Sequence, residues 1–125
     1  MIHLLAPPSS PVLSVEFADF VGSQEHRRFL AVLRRAVRAH GRIDLLLDVS
    51  RLRAIDGGIV TAGQAFAATD PHAIRRLAVV GDHDWAAWVV VMAGRYLRTR
   101  PRWFRPADRA LAEQFVQFPS LTVTS

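Results

Sequence analysis

The sequence predicts an α/β domain of about five strands flanked by four helices. Short apolar runs such as "IDLLLDV" and "RRLAVV" alternate along the chain with longer segments of helical period, the order of elements expected when helices cover a sheet. A length of 125 residues suits one domain, 1–125, with a core of its own. Half of the residues are hydrophobic, which places the chain among globular proteins and away from disorder.

The elements follow in order. Ile2 to Leu5 reads as a short strand, and "APPSSP" as a turn whose prolines fit neither helix nor sheet interior. Val12 to Phe17, "VLSVEF", alternates apolar and polar side chains, so it reads as a strand with one solvated face, able to pair with the first as an antiparallel hairpin. Ser23 is a candidate N-cap for a long helix in which Phe29, Leu30, Leu33, Ala36 and Val37 recur at helical spacing until His40 and Gly41 stop it. Ile43 to Val49 is almost wholly apolar, as a strand buried on both faces requires. After a turn, Asp56 caps a second helix that closes before Pro71, and Arg75 to Val80 forms the next buried strand. "GDHD" is its exit turn. Trp85, Trp88, Val89, Met92 and Tyr96 then share one face of a third helix. Arg102 to Phe104 reads as an edge strand, Pro106 opens a last helix through about Gln117, and the tail from Pro119 adds a short strand or lies loose.

Composition removes several classes of function. The absence of cysteine excludes disulfides, thiol nucleophiles and thiolate metal sites. No apolar run approaches the roughly 18 residues of a membrane span, and "MIHLLAPPSS" lacks the basic start of a secretory signal. The expected location is the cytoplasm, with peripheral membrane contact as the alternative. All sixteen basic residues are arginine, and the formal net charge is +5. Because the arginines are spread over several elements, a solvated surface is favoured over a nucleic-acid interface.

Two stretches resemble a known family. "LLLDVSRLRAIDGGIV", Leu45 to Val60, is similar to the strand-loop-helix of STAS domains, in which one aspartate ends the strand and a second opens the helix. "RLAVVGDHDWAAWV", Arg76 to Val89, followed by "RWF", resembles the SpoIIAA-like branch of that fold. The resemblance spans roughly residues 12 to 117. It implies a mixed sheet with functional surface at the loops after the parallel strands. It also implies a binding role, with apolar ligands and membrane association as candidates. Regulatory STAS proteins carry a phosphorylatable hydroxyl just after the second aspartate, where this chain has Gly57. Ser50 and Thr61 lie nearby, but neither takes that position.

The remaining chemistry-bearing residues point to binding more than to catalysis. Asp82, His83 and Asp84 are consecutive and would fan apart, and His3, His26, His40 and His72 show no metal-ligand spacing. Neither a nucleophile elbow nor a phosphate-binding glycine loop is present. No cofactor and no catalytic residue is therefore expected, and a hydrolase or other enzyme is the third reading, after a binding module and a regulatory interaction module. The expected crevice lies beyond the ends of the buried strands, with Asp56, Gly57, Gly58, Asp82, His83 and Trp85 on its rim and Phe66, Trp88 and Met92 on its apolar side. The apolar run Trp85 to Ala93 is wider than one core stripe, so part of it would remain as a pocket wall, a homodimer face or a membrane-contacting patch. Arg95, Arg98, Arg100, Arg102, Arg105 and Arg109 follow, a set suited to an anionic surface or an acidic partner. The expected partner is thus a small apolar molecule, an anionic membrane surface or a regulatory protein of the anti-anti-sigma kind.

Overall fold

The computed structural model describes residues 1–5 and 11–117. The expected turn at "APPSSP" therefore falls, apart from Pro11, outside the described residues, as does the tail from Pro119. Five strands form one sheet in the order β1-β2-β3-β4-β5, with β1 (Ile2–Leu4), β2 (Val12–Val21), β3 (Ile43–Ile55), β4 (Ile74–Val80) and β5 (Arg102–Phe104). β1 runs antiparallel to β2, as expected for the hairpin, and the other neighbours are parallel.

Three long helices, α1 (Ser23–His40), α2 (Gly58–Thr69) and α3 (His83–Tyr96), connect successive parallel strands, and α4 (Arg109–Gln117) follows β5 through a 3₁₀ turn at Pro106–Asp108. Parallel crossovers are right-handed, and here the strand order advances without reversal, so each crossover deposits its helix on the same side of the sheet. The core follows from this. Leu13, Val15, Leu45, Leu77 and Val79 point toward Phe29, Leu33, Phe66 and Ala86 on the three crossover helices. The alternate residues Leu46, Ala78 and Val80 point to the opposite face and meet Ala112 and Val116 of α4. One side of the sheet thus carries three helices and the other one.

Several boundaries differ from the sequence reading. β2 and β3 continue beyond Phe17 and Val49 as a two-stranded extension that pairs as far as Val21 with Ile55. Its register slips between Glu16 and Ala18 and again between Asp19 and Phe20, and Asp19 takes a left-handed φ of 55° there. Ser23 is the first residue of α1 and Gly22 occupies the cap position. Asp82 does take the cap position of α3, but its side chain makes no capping bond.

Candidate functional site

α2 and α3 lie side by side on the three-helix face, and a cleft opens between them above β3 and β4. Its cavity is about 180 Å³, lined by Ile59, Gly63 and Phe66 of α2, Trp88, Val89, Met92 and Ala93 of α3, and Leu45, Leu47 and Leu77 of the sheet. Small residues on the facing helix surfaces leave this space: at Gly63 a Cβ would meet nothing within 4 Å. α3 is held loosely for so apolar a helix, since Ala86 is its only buried residue while Val91 is 64% exposed and Trp88 37%.

Three polar side chains line the cavity. Gln64 Nε2 donates to Tyr96 Oη at 3.2 Å, so these two satisfy one another at an exposed position. The third is His26, near the start of α1, which is 6% exposed and packs against the rings of Phe17 and Phe29. Burial lowers the pKa of its imidazole and holds it neutral. Its Nδ1 has no hydrogen-bond partner among the described residues.

The sequence-predicted residues fall into separate groups. Phe66, Trp88 and Met92 line the cavity together. Trp85 is not in its wall; its ring stands edge-on to Trp88 with centroids 6.0 Å apart. Asp56, Gly57 and Gly58 are exposed at the start of α2, where Asp56 Oδ1 accepts the Gly58 N–H at 2.9 Å. That bond, with a second from the Ser23 hydroxyl, lowers the Asp56 pKa. A Cβ at Gly58 would lie 2.7 Å from Ser23 Oγ, so the serine hydroxyl would have to turn aside, whereas Gly57 faces open space. Asp82 and His83 are exposed at the start of α3, and His83 stands against Trp103 with ring centroids 5.5 Å apart. The cavity therefore lies along the flanks of the helices and not around their N-termini.

The arginines also divide. Arg95, Arg98 and Arg100 are exposed, and none of their guanidinium groups meets a carboxylate among the described residues. Arg102 lies over the rings of Phe104 and Phe115 at 5.6 and 5.4 Å, and Arg105 approaches Asp108 at 3.9 Å. Arg109 does not belong to this surface. It binds Asp48 under α4 and reaches Glu113 at 3.2 Å, so a structural ion pair consumes its charge.

Sequence reasoning passed over His26 and Gln64. A signal for His26 was available, since it stands at i with Phe29, Leu30 and Leu33 at i+3, i+4 and i+7 on the buried stripe of α1. Among the described residues no three His, Asp or Glu side chains gather closely enough to hold a metal ion. Ser50 Oγ donates to Asp48 Oδ1 at 2.5 Å, and Thr61 is exposed in the first turn of α2. No described helix is long and apolar enough to cross a membrane.

Comparison with known proteins agrees with this architecture. An uncharacterized protein of the DUF3478 family with a SpoIIAA-like fold, from Shewanella loihica PV-4, superposes with a TM-score of 0.72 over 93% of this chain and 92% of that one, at 14% identity. That likeness concerns the fold. No curated protein matches the chain. The SpoIIAA-like family model matches residues 12–117, from the start of β2 to the end of α4, and the chain belongs to the SpoIIAA-like family.

Proposed function

We propose that this protein is a binding module without catalytic function, and that it takes a small apolar molecule into the cleft between α2 and α3. The observation that carries the reading is the cavity of about 180 Å³ walled by Phe66, Trp88, Val89 and Met92. A void of about 150 Å³ with apolar walls is large enough to hold benzene. Apolar walls with few polar groups are the usual character of small-molecule sites.

Titration of tryptophan fluorescence with methylcyclohexane and n-hexane tests it, because Trp88 stands in the wall. Gly63→Leu serves as the blocking variant: its side chain enters open space, and the exchange removes a glycine from a helix interior. The wild type should bind and Gly63→Leu should not, at an unchanged or raised melting temperature. Absence of binding to the wild type, or undiminished binding to the variant, rejects the site.

A second reading is supported by the exposed Val91, Trp88 and Tyr96 of α3 beside Arg95, Arg98 and Arg100. An amphipathic surface of this kind suits anionic lipid, each arginine near the surface contributing about 1 kcal/mol. Sedimentation with anionic but not neutral vesicles, lost on replacing Arg98, Arg100 and Arg102 with glutamine, is the expected result. Equal binding to both vesicle types, or to neither at low salt, removes this reading.

A further inference from the structure

We propose that the ligand of this cavity carries one uncharged hydrogen-bonding group, a hydroxyl, that meets the imidazole of His26; the inference rests on the reading of the cleft as a ligand site. The argument begins with hydrogen-bonding capacity in the cavity wall. Gln64 and Tyr96 are already bonded to each other. His26 is different, because its Nδ1 is buried without a partner among the described residues and the residue is one of those that line the cavity.

A buried polar atom left without a hydrogen bond costs the water it has given up. Phe29, Leu30 and Leu33 continue the same helix stripe as hydrocarbon, and a leucine or phenylalanine at position 26 would complete the stripe without that cost. Among the lining side chains the imidazole is therefore the one with a polar atom that is buried and unpartnered among the described residues. Burial keeps the ring neutral, so it offers one donor and one acceptor. A hydroxyl is both donor and acceptor, and it can answer either tautomer. A carboxylate would enter an apolar cleft and leave water without gaining a positive charge beside it.

Three compounds of nearly equal shape separate the possibilities: methylcyclohexane, cyclohexylmethanol and cyclohexanecarboxylate. Affinities are measured for the wild type, His26→Phe and His26→Leu, with methylcyclohexane reporting that the cavity survives each exchange. The affinity ratio of cyclohexylmethanol to methylcyclohexane should fall about fivefold in both variants, the effect of one hydrogen bond. Imidazole ¹⁵N shifts of the wild type give a measurement independent of the variants, and cyclohexylmethanol should move those of His26 while methylcyclohexane leaves them nearly unchanged. An unchanged ratio with unmoved His26 nitrogens overturns the inference and leaves the apolar site standing. Tightest binding by cyclohexanecarboxylate at neutral pH overturns it in favour of an anionic ligand. If the wild type binds none of the three, the cleft is not a ligand site and both readings fall.

Discussion

Replacing Arg109 by methionine should be costly, because it leaves one of the two oxygens of a buried carboxylate without its partner. Asp48 Oδ1 accepts the Ser50 N–H at 2.9 Å and the Ser50 hydroxyl at 2.5 Å, while Oδ2 is bound by Arg109. The Asp48 side chain is only 7% exposed, so water cannot readily replace the guanidinium. Breaking one side of a fully buried pair costs about 3–5 kcal/mol. Arg109 itself is 30% exposed and Ser50 keeps its two bonds, so we expect less, about 2–3 kcal/mol.

Urea unfolding followed by tryptophan fluorescence should show the Arg109→Met midpoint falling by roughly 1–2 M, at a slope ordinary for a small domain. Glu113→Gln removes the outer partner, which is 45% exposed, and should cost under about 0.5 kcal/mol. Asp48→Asn combined with Arg109→Met should recover about half of the loss, since the asparagine oxygen still accepts from Ser50 and no charge remains. If Arg109→Met costs no more than Glu113→Gln, the pair behaves as a solvated one and the reasoning fails.

Three further outcomes can be checked with the same apparatus. Below its ordinary value of about 6.5 the unfolded chain takes up a proton at His26 that the folded chain resists, so wild-type stability should be complete above that pH and decline beneath it. His26→Phe should remove that component, and urea midpoints between about pH 5 and 7.5 that fall equally in both proteins refute it. Gly57→Ser should change the melting temperature little, whereas Gly58→Ala should cost about 1 kcal/mol, because its Cβ would push Ser23 Oγ away from Asp56; equal melting temperatures would contradict this. Gly81→Ala should cost about 1–3 kcal/mol by calorimetry, since its Cβ would lie 2.9 Å from Val49 Cγ2 and the backbone behind cannot yield; a loss below that range would show that β3 gives way.

The parts of the fold that were legible in the sequence are those where one physical signal dominates. Ile43 to Val49 and Arg75 to Val80 are largely apolar on both faces because both faces are covered, and their shortness and β-branched content separate them from a buried helix. The third helix was legible from the spacing of its aromatic residues. The far halves of β2 and β3 were not, since Asp19, Arg51 and Arg53 read as loop and only pairing between the two segments makes them strand. At the candidate site, Phe66, Trp88 and Met92 were legible as apolar side chains on helices expected to face one another. His26 was not, because its role depends on which helix stripe borders the cleft, a tertiary fact. The grouping of Asp56 with Asp82 and His83 followed from the general position of sites in open sheets, whereas this cavity lies between helix flanks.

The unequal lengths of the central strands bear on how two copies of the chain would meet at β3. β3 is hydrogen-bonded on both sides only as far as Asp48, where β4 ends opposite it at Val80. Beyond that point β2 alone pairs with it, so one margin of the strand lies outside the ladder with β4. Extended backbone outside a ladder is a template on which another chain can add. The composition of β3 changes at this boundary, from hydrocarbon to the exposed arginines Arg51 and Arg53. A second copy approaching in register would bring like charges together, so self-stacking is discouraged where the backbone would otherwise invite it.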